Sequence, residues 1–294
     1  MGLRLFCLLI AFVTIVVQTY SQERTLVTET VGQFKDLLPD STCYGIATLK
    51  VIGPINEDDL YILQHIAKNH GKEKGTDCRL TTLDLSEAQQ LTVIDDFAFA
   101  GCTQLAAIHL PASLIRIGHH AFEGCTSLKA ITLPSKVEKI GSDLFENCLS
   151  LDSVVIQGQI EELPDDVFRY CHALRYVELP NTVKNIGDNA FERTSLRTFS
   201  IPTACRSIGS AAFRDCNGLT AVSLPATLKK IGGNAFTRCV SLRTISCGSP
   251  TPPQTSHTTF KGVIHAVCKA RIPQGAKRNY SNDTSWRRMI LIEE

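Results

Sequence analysis

The 294-residue sequence predicts an α/β repeat solenoid with a parallel sheet on one face and a cap at each end. Three observations predict this fold class. A phenylalanine recurs at a nearly constant interval, an alternating apolar segment precedes it in each unit, and irregular polar segments flank the repeated region. Hydrophobic residues make up 44% of the chain, which is typical of a folded protein rather than a disordered one.

The first half of each unit predicts a short strand. Residues 105–111 read LAAIHLP, and residues 128–134 read LKAITLP. The isoleucine and the second leucine alternate with other residues, so both side chains lie on one face of a strand. The following proline has no N–H to donate and ends the strand. This series of units of 22–25 residues predicts repeats over residues 80–247, with neighbouring strands about 4.8 Å apart in a parallel sheet.

The second half of each unit contains an Ile-Gly pair and then an Ala-Phe-x-x-Cys segment. The repeated phenylalanines are spaced by 23, 23, 23, 23, 22 and 23 residues: Phe99, Phe122, Phe145, Phe168, Phe191, Phe213 and Phe236. We expect each phenylalanine to insert into an interior that the stacked units share. A fully buried apolar side chain is worth roughly 1.5–3 kcal/mol. We also expect the glycine of the Ile-Gly pair to take a backbone angle that other residues avoid.

Two units in the middle of the series depart from the pattern. The fourth has Gln157-Gly158 in place of Leu-Pro, and Pro164 in place of glycine. The fifth is one residue short, with Thr194 in place of cysteine. The middle of the solenoid is therefore predicted to be its least regular part.

The segments on either side of the repeats predict caps. In residues 22–79, a strand is expected at 47–53, then Asn56 as N-cap and an amphipathic helix to about Lys68. In residues 248–294, one more strand is expected at 269–273. Trp286, Met289 and Ile292 are expected to close the open end of the core.

Residues 1–21 have the pattern of a secretory signal. Arg4 precedes an uncharged apolar run at 5–17, and the small residues Thr19 and Ser21 follow it. A membrane anchor is the alternative, but the run is shorter than the roughly 20 residues that a spanning helix needs. The sequence therefore predicts a signal peptide at 1–21. It predicts no membrane insertion after cleavage, and a protein that is secreted, periplasmic or on the cell surface.

The full repeat pattern, L-x-x-I-x-L-P-x-x-L-x-x-I-G-x-x-A-F-x-x-C, resembles the BspA-type leucine-rich repeat. The opening sequence at 83–88 and the closing segment at 249–286 are similar to the ends of such proteins. The resemblance implies a bacterial, Bacteroides-like, secreted or cell-surface protein that serves adhesion or protein recognition, often of host extracellular proteins. It implies no shared catalytic residues.

The cysteines of the repeats are predicted to be free, buried thiols. Six of them follow the repeat phenylalanine by three residues: Cys102, Cys125, Cys148, Cys171, Cys216 and Cys239. Neighbouring ones would have Cα atoms about 4.8 Å apart, within the disulfide range, but parallel Cβ vectors oppose a bridge. The hypothesised disulfide joins Cys43 to Cys78, because both lie in the N-terminal cap near polar residues.

No motif points to a metal, a cofactor or a catalytic site. The sequence has no Cys-x-x-Cys, no His-Glu-x-x-His and no glycine-rich phosphate loop. The neighbouring Cys171 and His172 suggest a cysteine nucleophile, but Cys171 belongs to the structural series. The 30 lysines and arginines balance 29 aspartates and glutamates, which gives no electrostatic reason to expect nucleic acid or an anionic membrane as a partner.

A protein partner is expected on the exposed face of the sheet, where the residues beside each central isoleucine point outward. Most of these residues are small, and the exceptions cluster at Arg175, Tyr176, Glu178 and Arg197. Tyrosine and arginine dominate binding energy at protein interfaces. The four residues are therefore a hypothetical contact patch, with an ordinary solvated sheet face as the alternative. A structural envelope component or a hydrolase are the alternative functions.

Overall fold

The computed structural model describes residues 23–38, 46–68 and 80–294. The predicted signal peptide and the proposed pair Cys43 and Cys78 lie outside these residues. The elements in chain order are β1 (Glu23–Val27), α1 (Phe34–Leu37), β2 (Thr48–Pro54), α2 (Glu57–Lys68), β3 (Thr82–Gln89), β4 (Val93–Ile94), β5 (Ala107–His109), β6 (Arg116–Ile117), β7 (Ala130–Leu133), β8 (Lys139–Ile140), β9 (Ser153–Ile156), β10 (Glu162–Leu163), β11 (Tyr176–Glu178), β12 (Asn185–Ile186), β13 (Thr198–Ser200), β14 (Ser207–Ile208), β15 (Ala221–Leu224), β16 (Lys230–Ile231), β17 (Thr244–Cys247), β18 (Lys269–Ile272), α3 (Lys277–Asn282) and β19 (Ile290–Glu293).

The predicted solenoid with a parallel sheet on one face is confirmed. One strand from each turn stacks in parallel on its neighbour, in a seven-stranded group β1-β2-β3-β5-β7-β9-β11 and a five-stranded group β13-β15-β17-β18-β19. The register keeps equivalent residues side by side, as with Val222 and Ile245. In the main sheet, β2 pairs directly with β3 and β17 pairs directly with β18. The sheet therefore does not mark the predicted domain boundaries at 79/80 and 247/248, which stay predictions.

A second, narrower ladder of two-residue strands runs along another side of the solenoid. It consists of β4-β6-β8 and β10-β12-β14-β16. In the regular turns the glycine of the Ile-Gly pair donates its N–H to the preceding turn, as from Gly141 to the Ile117 carbonyl at 2.9 Å. The ladder stops between β8 and β10, where Pro164 replaces that glycine and has no N–H to donate.

The expectation that these glycines need an unusual backbone angle is wrong. None of Gly118, Gly141 and Gly187 has a positive φ. A Cβ at Gly141 would instead lie 2.3 Å from the His119 backbone nitrogen, and one at Gly187 would lie 2.5 Å from the Pro164 carbonyl carbon. Glycine is required here because the backbones of successive turns approach too closely for a side chain.

The phenylalanines form one continuous column inside the solenoid, as the spacing predicted. All seven are fully buried, and consecutive rings from Phe99 to Phe236 stack with centroids 5.0–5.7 Å apart. Phe260 extends the column by one ring at 5.6 Å, and buried Trp286 meets Phe260 edge-on at 5.1 Å. The tryptophan therefore covers the C-terminal end of the aromatic column.

A third ladder runs behind the phenylalanine column and has no interruption between Phe97 and Lys261. In each turn the residue two before the phenylalanine, the phenylalanine and the residue two after it donate to the next turn. Asp166, Phe168 and Tyr170 do so at 2.9 Å each. The two flanking residues take positive φ, 59° at Asp166 and 61° at Tyr170. Asparagine and aspartate tolerate this region better than most residues and are frequent at these positions.

The N-terminal part packs a helix against the stacked strands. α2 buries Leu60, Leu63 and Ala67 at helical spacing. The buried carboxylate of Asp59 accepts hydrogen bonds from the backbone N–H groups of Gly32 (2.6 Å) and Phe34 (3.0 Å). This contact ties the segment that precedes β2 to the helix. Within the described residues, no helix is long and apolar enough to cross a bilayer.

Candidate partner-binding surface

The exposed face of the main sheet is lined mostly by small side chains. The outward positions on β7, β13 and β15 carry alanine, threonine and serine, while the central residue of each strand is buried. A backbone sheet with short side chains is open to close approach by another molecule. This face is the surface on which the sequence analysis expects a partner.

Tyr176 is the one aromatic residue among the outward positions of the described repeat strands. Its side chain is 53% exposed, and its hydroxyl donates to Glu178 Oε2 at 2.9 Å. This hydrogen bond raises the pKa of Tyr176. The two residues therefore form a single feature on β11, as their i, i+2 spacing requires.

The two arginines of the hypothetical patch lie on successive turns. Arg175 Nη1 is 3.5 Å from Asp152 Oδ1, and both side chains are mostly exposed. Arg197 is exposed just before β13 and forms no ion pair within the described ranges. Arg175 thus directly precedes Tyr176 and Glu178 of β11, and Arg197 lies on the next turn.

The main sheet is interrupted between the two strands that bear the patch. β11 pairs with β9, β13 pairs with β15, and no ladder joins β11 to β13. Phe199 occupies the central strand position that Val177 occupies one turn earlier. Its ring packs 4.9 Å from Phe191 and 5.5 Å from Phe213. The larger side chain occupies more of the interior than valine, and we attribute the separation of the two strands to it.

The interruption leaves apolar residues incompletely covered beside Tyr176. Val177 and Leu179 are only partly buried, whereas the equivalent Ile131 and Leu133 two turns earlier are buried. Sequence analysis missed both residues because they match the repeat consensus. The available signal was the phenylalanine at 199, because the other repeats carry leucine, isoleucine or valine at that position.

The cysteines of the repeats are free and buried, and their arrangement opposes a nucleophilic role. Cys171 Sγ donates to the Phe145 carbonyl at 3.0 Å, and burial raises the pKa of its thiol. His172 points elsewhere, with Nδ1 3.0 Å from the Arg193 carbonyl. The adjacent Cys171 and His172 therefore do not form a catalytic pair. Across the described residues, no group of three histidine, cysteine, aspartate or glutamate side chains could hold a metal ion.

Comparison with solved structures finds bacterial leucine-rich-repeat proteins. A leucine-rich repeat protein from Bacteroides ovatus is 24% identical, with a TM-score of 0.49 over 76% of this chain and 60% of that one. A leucine-rich cell-surface protein from Faecalibacterium prausnitzii is 21% identical, with a TM-score of 0.44 over 73% and 79%. The pneumococcal vaccine antigen PcpA is 14% identical, with a TM-score of 0.44 over 84% and 85%.

The chain thus spans about three fifths of the length of the Bacteroides protein. No curated protein matches the sequence. The family model of the BspA-type leucine-rich repeat region matches in six copies, over residues 75–193 and 139–263. These matches cover more than half of the chain, including the segment that carries the buried phenylalanine column. The chain belongs to the BspA-type leucine-rich repeat family.

Proposed function

We propose that this protein is a secreted or cell-surface recognition module that binds a protein partner, in the manner of an adhesin, through the exposed sheet face around Tyr176. The proposed site consists of Arg175, Tyr176, Glu178 and Arg197, and we call it the Tyr176 patch. We propose no catalytic role, because the residues that recur from turn to turn form the buried core and the residues that vary lie on an open face.

The observation that carries the proposal is the position of Tyr176 at the interruption of the sheet. Its exposed ring lies beside the partly buried Val177 and Leu179, so a larger apolar surface is available to a partner here than on the rest of the face, which is lined mostly by small residues. Interface hot spots combine an aromatic anchor with surrounding groups that exclude water. Arg175 and Glu178 supply such groups at the rim.

The small residues on neighbouring turns support the same location. Thr198 and Ser200 lie on the next strand, and Ser153 lies on the preceding one. Short side chains on both sides let a partner reach the tyrosine without displacing bulky groups. The hydrogen bond from Tyr176 to Glu178 also lowers the entropy lost on binding, because the ring is already held in place.

Affinity capture tests the proposal. The mature chain is immobilised, exposed to host matrix and serum proteins, and the captured proteins are identified by mass spectrometry. We expect Tyr176→Ala to weaken the affinity for the captured partner by about tenfold or more, as for an aromatic anchor. Tyr61→Ala is the matched control, because Tyr61 is 60% exposed but lies on α2. Equal retention by both variants would place the interface elsewhere.

A further inference from the structure

The balanced net charge conceals a separation of charge along the solenoid. Residues 1–174 carry 13 lysines and arginines against 22 aspartates and glutamates, whereas residues 175–294 carry 17 against 7. Within the described turns, which stack in chain order, residues 80–174 carry 5 lysines and arginines against 13 aspartates and glutamates, so the N-terminal turns are acidic and the C-terminal turns are basic. A strong asymmetry of this kind indicates a charged partner that net charge alone does not reveal.

Four basic residues of the C-terminal part lie close together along the second ladder. Lys184, Arg206 and Lys229 occupy the same position in three successive turns. Their backbones are joined by hydrogen bonds from Arg206 to the Lys184 carbonyl (2.7 Å) and from Lys229 to the Arg206 carbonyl (2.8 Å). Lys230 adds a fourth cation at the next position, in register with Ser207. We call these four residues the basic ladder.

The cations of the basic ladder are largely without counter-charges. Lys184 pairs with Glu161 at 2.6 Å, but Arg206, Lys229 and Lys230 form no ion pair with any residue of the described ranges. Stacked turns place such side chains about 4.8 Å apart at the backbone, well inside the ~8 Å Debye length at physiological salt. Their mutual repulsion is unfavourable unless an anion lies across them.

Two other regions show that this arrangement is not imposed by the fold. On the same side of the N-terminal turns, Arg116 lies 3.7 Å from Asp95, and Lys139 follows Glu138. On the third ladder, which runs behind the phenylalanine column, Arg193 and Arg214 lie 3.5 and 3.7 Å from the carboxylate of Asp215. Arg206, Lys229 and Lys230 have no such carboxylate partner within the described residues, unlike Arg116, Arg193 and Arg214.

We propose that the basic ladder binds a linear polyanion, a sulfated or carboxylated polysaccharide, on a surface separate from the Tyr176 patch. A chain of regularly spaced anionic groups can follow one row of cations from turn to turn. The two residues that share the position of Lys230 on the preceding turns, Asn185 and Ser207, are polar, and Ser207 Oγ donates to Asn185 Oδ1 at 2.7 Å. Segments 181–185, 203–207 and 226–230 contain no aromatic residue for base stacking, which favours a glycan over single-stranded nucleic acid.

Titration of the mature chain with fluorescent heparin oligosaccharides tests this proposal. The triple variant Arg206→Gln, Lys229→Gln, Lys230→Gln is expected to weaken binding on the order of 30-fold at about 0.1 M salt, and to reduce the dependence of affinity on salt. The matched control is the triple variant Arg116→Gln, Lys136→Gln, Lys139→Gln. It removes the same charge from exposed positions on the N-terminal turns and is expected to change affinity by less than about threefold.

Four outcomes would overturn the proposal. The first is equal weakening by the two triple variants, which would indicate a general charge effect. The second is absence of binding by the unmodified chain below about 0.1 M salt. The third is binding of duplex DNA as tight as that of heparin at equal salt, which would remove the assignment to a polysaccharide. The fourth is salt-sensitive self-association in sedimentation without heparin uptake, which would make a second copy of the chain the partner.

Discussion

Two clusters of charged residues lie on the third ladder, behind the phenylalanine column, and their charges are reversed relative to each other. In one, Arg169 lies among three carboxylates, with Glu192 at 3.2 Å, Asp166 at 3.4 Å and Glu146 at 3.7 Å. In the other, one carboxylate, Asp215, lies among three arginines. The two clusters show how one side of the fold accommodates a cation among carboxylates and a carboxylate among cations.

The two clusters differ in how well the buried groups are satisfied. Asp215 accepts two hydrogen bonds from Arg238, one of them from Nη2 at 2.6 Å, and this contact lowers its pKa. In the acidic cluster, the buried atoms Asp166 Oδ1 and Arg169 Nε lie within ion-pair distance of Arg169 Nη1 and Glu192 Oε2, but neither contact has the geometry of a hydrogen bond. Burial, reinforced by Asp143, raises the pKa of Asp166 and of Glu146. A planar guanidinium satisfies a carboxylate with two parallel bonds, whereas three carboxylates cannot all share one arginine in that way.

The largest effect is expected from removing the carboxylate that the arginines share. Asp215→Asn should lower the free energy of unfolding by about 2 kcal/mol at neutral pH, because hydrogen bonds to charged groups are lost and three arginines are left together. Urea denaturation measures the change. Glu178→Gln, an exposed acid in the same half of the chain, is the control and should change stability by less than about 0.5 kcal/mol. Equal losses in the two variants would contradict the assignment.

A smaller effect is expected from removing the cation of the acidic cluster. Arg169→Gln should destabilise the protein by about 1 kcal/mol at neutral pH, since Glu146, Asp166 and Glu192 then repel one another. The pKa values of Glu146 and Asp166, which burial already raises, would rise further in the folded state. A carboxyl whose pKa is higher when folded costs stability above that pKa, and the cost disappears as the pH falls through it. Most of the loss should therefore be regained at about pH 5 in the same denaturation experiment. A loss that is the same at both pH values would indicate a packing effect.

The smallest change in stability is expected for Asp166→Asn. Asparagine keeps the positive φ of this position and removes one of the crowded charges, so stability at neutral pH should change by less than about 0.5 kcal/mol. The slope of stability against pH between about 7 and 5 should become flatter, because the raised pKa of Asp166 no longer contributes. Asp215→Asn should leave that slope unchanged, since a lowered pKa acts only at more acidic pH. A slope altered by Asp215→Asn alone would reverse the comparison.

The stacking of the chain could be predicted from the sequence because Phe99 to Phe236 keep one phase, and burial at a fixed interval is what a repeat array requires. The reason for the glycines could not, because the contact between Gly141 and His119 joins backbones of different turns. The interruption beside Tyr176 was also missed. Phe199 fits an apolar pattern as well as isoleucine does, so the apolar pattern alone does not mark the place where the main sheet is interrupted.

The charged sites show a similar division. Tyr176 and its neighbours could be selected as a candidate site, since exceptions to a pattern are visible in the sequence. The basic ladder was overlooked because total charge averages over the chain. Counting charges by segment would have found the asymmetry. The neutralisation of Arg193 and Arg214 by Asp215, in contrast, depends on side-chain directions that no count supplies.

The interruptions at Pro164 and Phe199 also bear on how this molecule responds to mechanical load. In an array where each turn touches only its neighbours, cooperativity passes from junction to junction and is limited by the weakest one. Each of these two junctions lacks one of three hydrogen-bonded seams, and a fully bonded junction separates them. When the protein is pulled along its axis, we expect the turns to separate first at these two junctions, near the middle of the solenoid. The N-terminal and C-terminal turns would stay folded and would be joined by an extended segment.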